Sequence, residues 1–391
     1  MHLFSKAHPK PVFNFDDIRS YTDEEAVSAL KKLADDRIFL ETVSSYFLSD
    51  RHPFIQSFVR RKAAQKLAGV LRSVTGIADF QKKIIYDLVI REILKRTVSS
   101  FRCSGFENLD PAGRYIFMSN HRDIVCDAAF FEAGMIENGL PATEIAFGSN
   151  LLVNKLVETL IRCNRGCIVY RGLDMRAQYE EYMKLSAYIR KLMDENRSLW
   201  IAQRQGRSKD ASHLTNPAVL KMFYLSQRES GYSLAEYLNF CKIVPVSVSY
   251  ERDPAVILMA KTLVYEEKEG NYRKSKNEDL DHIMRGLAGY KGEVHIHVGT
   301  PIDFMPFGKN AEAAAAEIDR FIHSHLVPGP FHYLSYDRMY YTDRFSPMYT
   351  DEDETEFDML YGNCDPEVYK KILLQYSNPV RAKSEAEGKA L

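Results

Sequence analysis

Apolar and polar positions along this chain change their rhythm twice. From about residue 20 to 100, apolar residues recur at helical spacing, with no strong strand signal. Thr22 and Glu25 have the spacing of a capping box ahead of Ala26, Leu30 and Leu33, which sets the start of a first helix. Helices are then predicted over 37–47, 53–74 and 79–98. The stretch 82–96 is apolar with basic ends, and is read as a packing helix in preference to one lying on a membrane surface.

From about 101 to 305 short β-rich runs alternate with helical stretches. The runs are 115–118, 144–147, 167–170, 199–202, 243–249, 256–260 and 294–298. Between them Met175, Tyr179, Tyr182, Ile189 and Met193 mark one face of a helix. Such alternation predicts an α/β fold, with a mixed, largely parallel central sheet covered by helices on both faces. The segment 331–349 is rich in Tyr, Phe and Met and is read as a wrapping arm packed on the core, the alternative being the lining of a lipid channel. The acidic run 351–356 reads as a solvated loop and the residues after Asn378 as frayed. The organisation expected is an N-terminal helical region over 1–100, an α/β domain over 101–305 and a helical or irregular C-terminal extension over 306–391.

Composition narrows the class of protein. A chain of 391 residues can bury a large core, and 45% hydrophobic with 27% charged residues is the balance of a folded globular protein. The net charge of -1 gives no electrostatic footprint for nucleic acid. Six scattered cysteines argue against a disulfide framework and for a reducing compartment. Cys163 and Cys167 are four apart, but no second pair completes a zinc site, so no metal is expected. Met1–Lys6 lacks the apolar core of a signal peptide, and no window reaches the roughly 18–20 apolar residues of a membrane span. A cytoplasmic location with peripheral membrane association is expected.

Four segments of the α/β region fit together, three of them with candidate chemistry. In Ser119-Asn120-His121-Arg122-Asp123-Ile124-Val125-Cys126-Asp127, a histidine follows an apolar strand and precedes a helix, with carboxylates at Asp123 and Asp127. A neutral imidazole takes a proton from a hydroxyl near neutral pH, and a carboxylate fixes its tautomer. Gly166-Cys167-Ile168-Val169-Tyr170-Arg171 is a strand ending in a fixed cation suited to phosphate. The turn Arg204-Gln205-Gly206-Arg207-Ser208-Lys209 holds three cations around a glycine that permits close backbone approach, the makings of an anion site. Ile243-Val244-Pro245-Val246 is a buried strand and chiefly structural. No Gly-x-Ser-x-Gly elbow is present, which argues against a serine hydrolase.

Taken in order, these blocks resemble the glycerolipid acyltransferase family, which acylates glycerol 3-phosphate or its lysophosphatidate product. The likeness spans roughly 110–300. The family has a His-x-x-x-x-Asp motif, then a Gly-x-x-Phe/Ile-x-Arg block, a Phe-Pro-Glu-Gly-Thr-Arg-Ser-like block and a Val-Pro-Val-like block. The resemblance implies that His121 is the general base, with Asp127 as its orienting acid and Asp123 as the fallback. It implies that Arg122, Arg171, Arg204, Gln205, Gly206, Arg207 and Lys209 bind the substrate. It implies no cofactor, acyl-CoA or acyl-carrier protein serving as co-substrate, and a lipid acceptor met at a membrane surface. Two departures stand out: Asp127 is one residue later than the family spacing, and Gln205 replaces the family's glutamate. They motivate two alternatives, a catalytically weakened lipid- or acyl-carrier-binding protein on the same fold and an O-acyltransferase for a non-glycerol lipid.

Overall fold

The computed structural model describes residues 13–47, 53–270, 272, 278–389 and 391. The reading of Met1–Lys6 lies outside them. Among the described residues seven strands form one sheet: β1 (Val98–Ser104), β2 (Ile116–Ser119), β3 (Glu144–Gly148), β4 (Gly166–Val169), β5 (Leu199–Ala202), β6 (Ile243–Tyr250) and β7 (Gly292–Val298). Their order is β1-β7-β6-β2-β5-β3-β4. Only the β6–β7 pair is antiparallel, so the sheet is mixed and largely parallel, the α/β class expected.

Strand alternation divides the core. Ile116, Met118 and Ile201 face one layer, where helices Met175–Asp194, Pro217–Tyr224 and Ala311–Ser324 bury Leu185, Leu220 and Ile318. Phe117 and Trp200 point the other way, towards Phe130 and Phe131 of helix Cys126–Glu137. β2 and β6 are buried along their whole length, as strands covered on both faces must be. The ends of five parallel strands, β6, β2, β5, β3 and β4, therefore open on one edge, and loops there can reach a common space.

The N-terminal part is helical as expected, and the Thr22–Glu25 capping box is present. Residues 77–97 form a continuous helical stretch burying Phe80, Ile84, Ile90 and Ile93 against the rest of the protein. The C-terminal segment packs as a wrapping arm: Phe331, Phe357, Tyr361 and Tyr376 form an aromatic cluster with Val256 and Ala260.

Four expectations fail. The run 256–260 is no strand but the first turns of helix Val256–Glu269. β1 lies where the sequence showed only the end of a helix. The acidic run 351–356 opens helix Asp351–Tyr361, capped by Thr350, where carboxylates favour the exposed amides of the first turn. Nor does the chain fray after Asn378, because helix Pro366–Ala386 continues with Pro379, Val380 and Ala382 buried.

Candidate active site

The site begins where β2 ends. Asn120 is fully buried, and its side chain stands in for a strand residue: Oδ1 accepts from the Val248 amide and Nδ2 donates to the Val248 carbonyl, both at 2.8 Å. This pins the chain to β6 just as it turns over the sheet edge, so that His121 projects from a fixed point.

Asp127 is the second residue of helix Cys126–Glu137. Its Oδ2 lies 2.8 Å from His121 Nδ1 and accepts the Arg122 and Asp123 amides at 2.7 and 3.0 Å. Its Oδ1 accepts the Tyr250 hydroxyl at 2.7 Å. A carboxylate only accepts, so the His121 proton sits on Nδ1 and the lone pair is left on Nε2. The turn 122–125 between His121 and the helix brings Asp127 back onto the ring.

Asp123 does a different job. Its Oδ1 accepts the Val125 and Cys126 amides at 2.9 and 2.7 Å, capping the incoming helix. Burial, reinforced by the Asp127 charge, pushes the Asp123 carboxyl above the usual carboxylate range. A side chain at Gly286 would come within 2.0 Å of its Oδ2, so that glycine leaves the space the carboxylate occupies.

His121 lines a cleft of about 800 Å³ at the strand ends, together with Arg171, Arg204, Gln205, Gly206, Arg207 and Lys209. The two segments expected to bind phosphate are thus brought to the same space as the histidine. The cations differ in how they are engaged. Lys209 is ion-paired with Glu266, and Arg207 Nη1 lies 2.8 Å from His282 Nδ1. Arg171 and Arg204 have no ion pair and no side-chain hydrogen bond among the described residues. The Arg171 guanidinium lies against Gly148, whose added Cβ would stand 3.1 Å from Nη1. Burial without a counter-charge lowers the Arg171 pKa from its ordinary value. Gly206 has a φ of 73°, the left-handed conformation the turn needs. Apolar side chains also line the cleft, among them Ile124, Phe147, Leu185, Trp200 and Met222.

Arg122 does not join them. Its guanidinium donates to the Ser208 and Lys209 carbonyls, pairs with Asp253 and reaches Gln375 Oε1 at 3.2 Å. With its donors spent on the turn and on the last helix, it lines a separate small cavity, contrary to the expected place among substrate-binding residues.

Asn120, Tyr250 and Glu266 were not foreseen. Asn120 lay inside the motif but had no visible partner. Tyr250 is the residue directly after the predicted strand 243–249, and β6 runs one position further. Glu266 belongs to the helix misread as a strand.

No protein-family model matches the chain, and no curated protein does. Among solved structures it is similar to the 1-acyl-sn-glycerophosphate (LPA) acyltransferase PlsC from Thermotoga maritima. The match is 14% identical, covers 77% of this chain and 92% of that one, and has a TM-score of 0.34.

Proposed function

We propose that the protein is an O-acyltransferase that moves a fatty acyl group from acyl-CoA or an acyl-carrier protein to a hydroxyl of a glycerol phosphate or lysophospholipid-type acceptor. One observation carries the reading: the His121–Asp127 pair opens into the same cleft as two arginines without an ion pair among the described residues and a set of apolar side chains. That combination suits an acceptor with a phosphate and a donor with a fatty chain.

His121 Nε2 takes the proton of the acceptor hydroxyl as its oxygen attacks the thioester carbonyl. The carbonyl carbon becomes tetrahedral, the C–S bond breaks, and the proton passes from Nε2 to the leaving thiolate. Asp127 holds Nδ1–H in the working tautomer and stabilises the imidazolium formed in between. Arg171 and Arg204 hold the acceptor phosphate, with Arg207 and Lys209 in support. No acyl-enzyme is required. The protein works at a membrane surface, where a fatty acyl donor and a lysophospholipid-type acceptor are both amphiphilic.

The test is acyl transfer by purified protein, using acyl-CoA and acyl-carrier protein against lysophosphatidate, glycerol 3-phosphate and an amino-lipid alcohol. Transfer to a phosphate-bearing acceptor is expected, with His121→Ala losing roughly 10²–10⁴-fold in rate. Unchanged turnover in His121→Ala contradicts the mechanism. Firm lipid binding with no transfer to any acceptor replaces it with the binding-protein alternative.

A further inference from the structure

Helix Met175–Asp194 carries an apolar face that is covered along only part of its length. Ile189 and Met193 are buried in the core, and Tyr182 and Leu185 line the cleft. Met175, however, is 89% exposed and Tyr179 51% exposed. Residues three and four apart share one helix face, so Met175, Tyr179 and Tyr182 form one stripe. The apolar wall of the cleft therefore runs out through its mouth onto the surface.

Two neighbouring loops extend the stripe. Leu173 is exposed beside Gly172, a residue at the mouth, and Val153 is 66% exposed on the segment following β3. These loops are drawn together by the Arg171 amide, which donates to Ser149 Oγ at 3.3 Å, and by the Arg171 guanidinium against Gly148. Exposed apolar side chains on segments that also line a cleft mark a contact site.

We propose that Val153, Leu173, Met175 and Tyr179 form the surface by which this protein rests on an anionic lipid bilayer, with the cleft mouth facing the lipid. Charge complementarity favours this occupant. Just inside the rim, Arg171 and Arg204 match the phosphates of anionic headgroups and have no carboxylate partner among the described residues. Geometry favours it too. A folded protein seated on the rim would cover the mouth, whereas a fluid bilayer covers the same side chains and still feeds amphiphiles into the cleft. What enters the cleft rests on the acyl-transfer reading, but the docking surface can be tested without any turnover.

The experiment is sedimentation of the full chain with vesicles of phosphatidylcholine mixed with phosphatidylglycerol, and with phosphatidylcholine alone. The wild type is expected to bind the mixed vesicles. The double variant Met175→Ser/Tyr179→Ser loses about tenfold or more in binding, the loss expected from withdrawing two large apolar side chains from the interface. Met359→Ser, on the exposed C-terminal arm, serves as the control and keeps full binding. Because both rim residues are exposed on a helix surface, the double variant keeps its Tm. It also keeps turnover on a short-chain, monomeric acceptor while losing turnover on vesicle-embedded lysolipid. No vesicle binding by the wild type, or unchanged binding by the double variant, overturns the proposal. Loss of binding to an acyl-carrier protein with vesicle binding intact reassigns the rim to a protein partner. If no acceptor is turned over but the rim still governs vesicle binding, the surface stands and the acyl-transfer reading falls.

Discussion

Arg122 directly follows His121 and Arg171 lines the same cleft as His121, and the fold treats the two arginines in opposite ways. Arg122 is buried with its donors satisfied by Asp253, Gln375 and two carbonyls, and it ties the turn to the last helix. Arg171 is largely withdrawn from water with no counter-charge among the described residues, and it faces the cleft. Both are cations close to the same histidine. The difference lies in the compensating charge: Arg122 finds it inside the fold, and Arg171 has no ion pair among the described residues, as the proposed phosphate contact requires.

The contrast predicts effects of opposite sign. Arg122→Gln leaves Asp253 buried without its partner and should cost about 3–5 kcal/mol of stability, read as a lower denaturation midpoint. Arg171→Gln should leave stability unchanged or raised, because it removes an unpaired, partly buried charge. Its cost should appear in binding, as an increase in KM for a phosphate-bearing acceptor of roughly 10–100-fold, the worth of one charge-assisted hydrogen bond. If Arg171→Gln destabilises the protein as much as Arg122→Gln, the distinction between structural and ligand-facing cations fails.

A smaller effect tests the same idea on an acid. Glu132 is buried, its hydrogen bonds among the described residues coming from the Thr143 hydroxyl and amide, and burial pushes its carboxyl up to about 7. A folded pKa above the unfolded value means that the native state holds the proton more tightly. Stability from this group is full at low pH and falls as pH rises from the ordinary glutamate range through about 7. Glu132→Gln keeps an acceptor without the charge, so its stability curve should be flatter between pH 5 and pH 8 by on the order of 1 kcal/mol. Parallel curves in urea melts would contradict that account.

How much of this was legible in the sequence depended on how local each cause is. The buried strands stood out as short apolar runs, and the Thr22–Glu25 cap follows from residues three apart. The run 256–260 misled because four or five apolar residues read alike in a strand and in a buried helix. Its helix declares itself only further on, through Lys261 and the acidic positions up to Glu269. β1 was hidden because Ser100, Arg102 and Ser104 give it little apolar content, as befits an edge strand. The site divided in the same way. His121 and Asp127 are six residues apart and both lay in view, with Asp123 left as the competing acid, whereas Arg122 finds Asp253, and Asp127 finds Tyr250, only through the sheet. Nothing nearby in the sequence distinguishes an arginine that will be neutralised at long range from one that will not.

In the proposed mechanism His121 works as a base because Asp127 orients it, while Asp123 accepts only the amides that lead into the helix. The direct measurement is kcat for acyl transfer by Asp127→Asn and Asp123→Asn side by side, with Tm recorded for both. Asp127→Asn should lose at least about 10²-fold in kcat, since an amide can hold the wrong tautomer. Asp123→Asn should stay within a few-fold of wild type, since asparagine caps helices as well as aspartate does. Equal losses, or a larger loss in Asp123→Asn at unchanged Tm, would contradict the account.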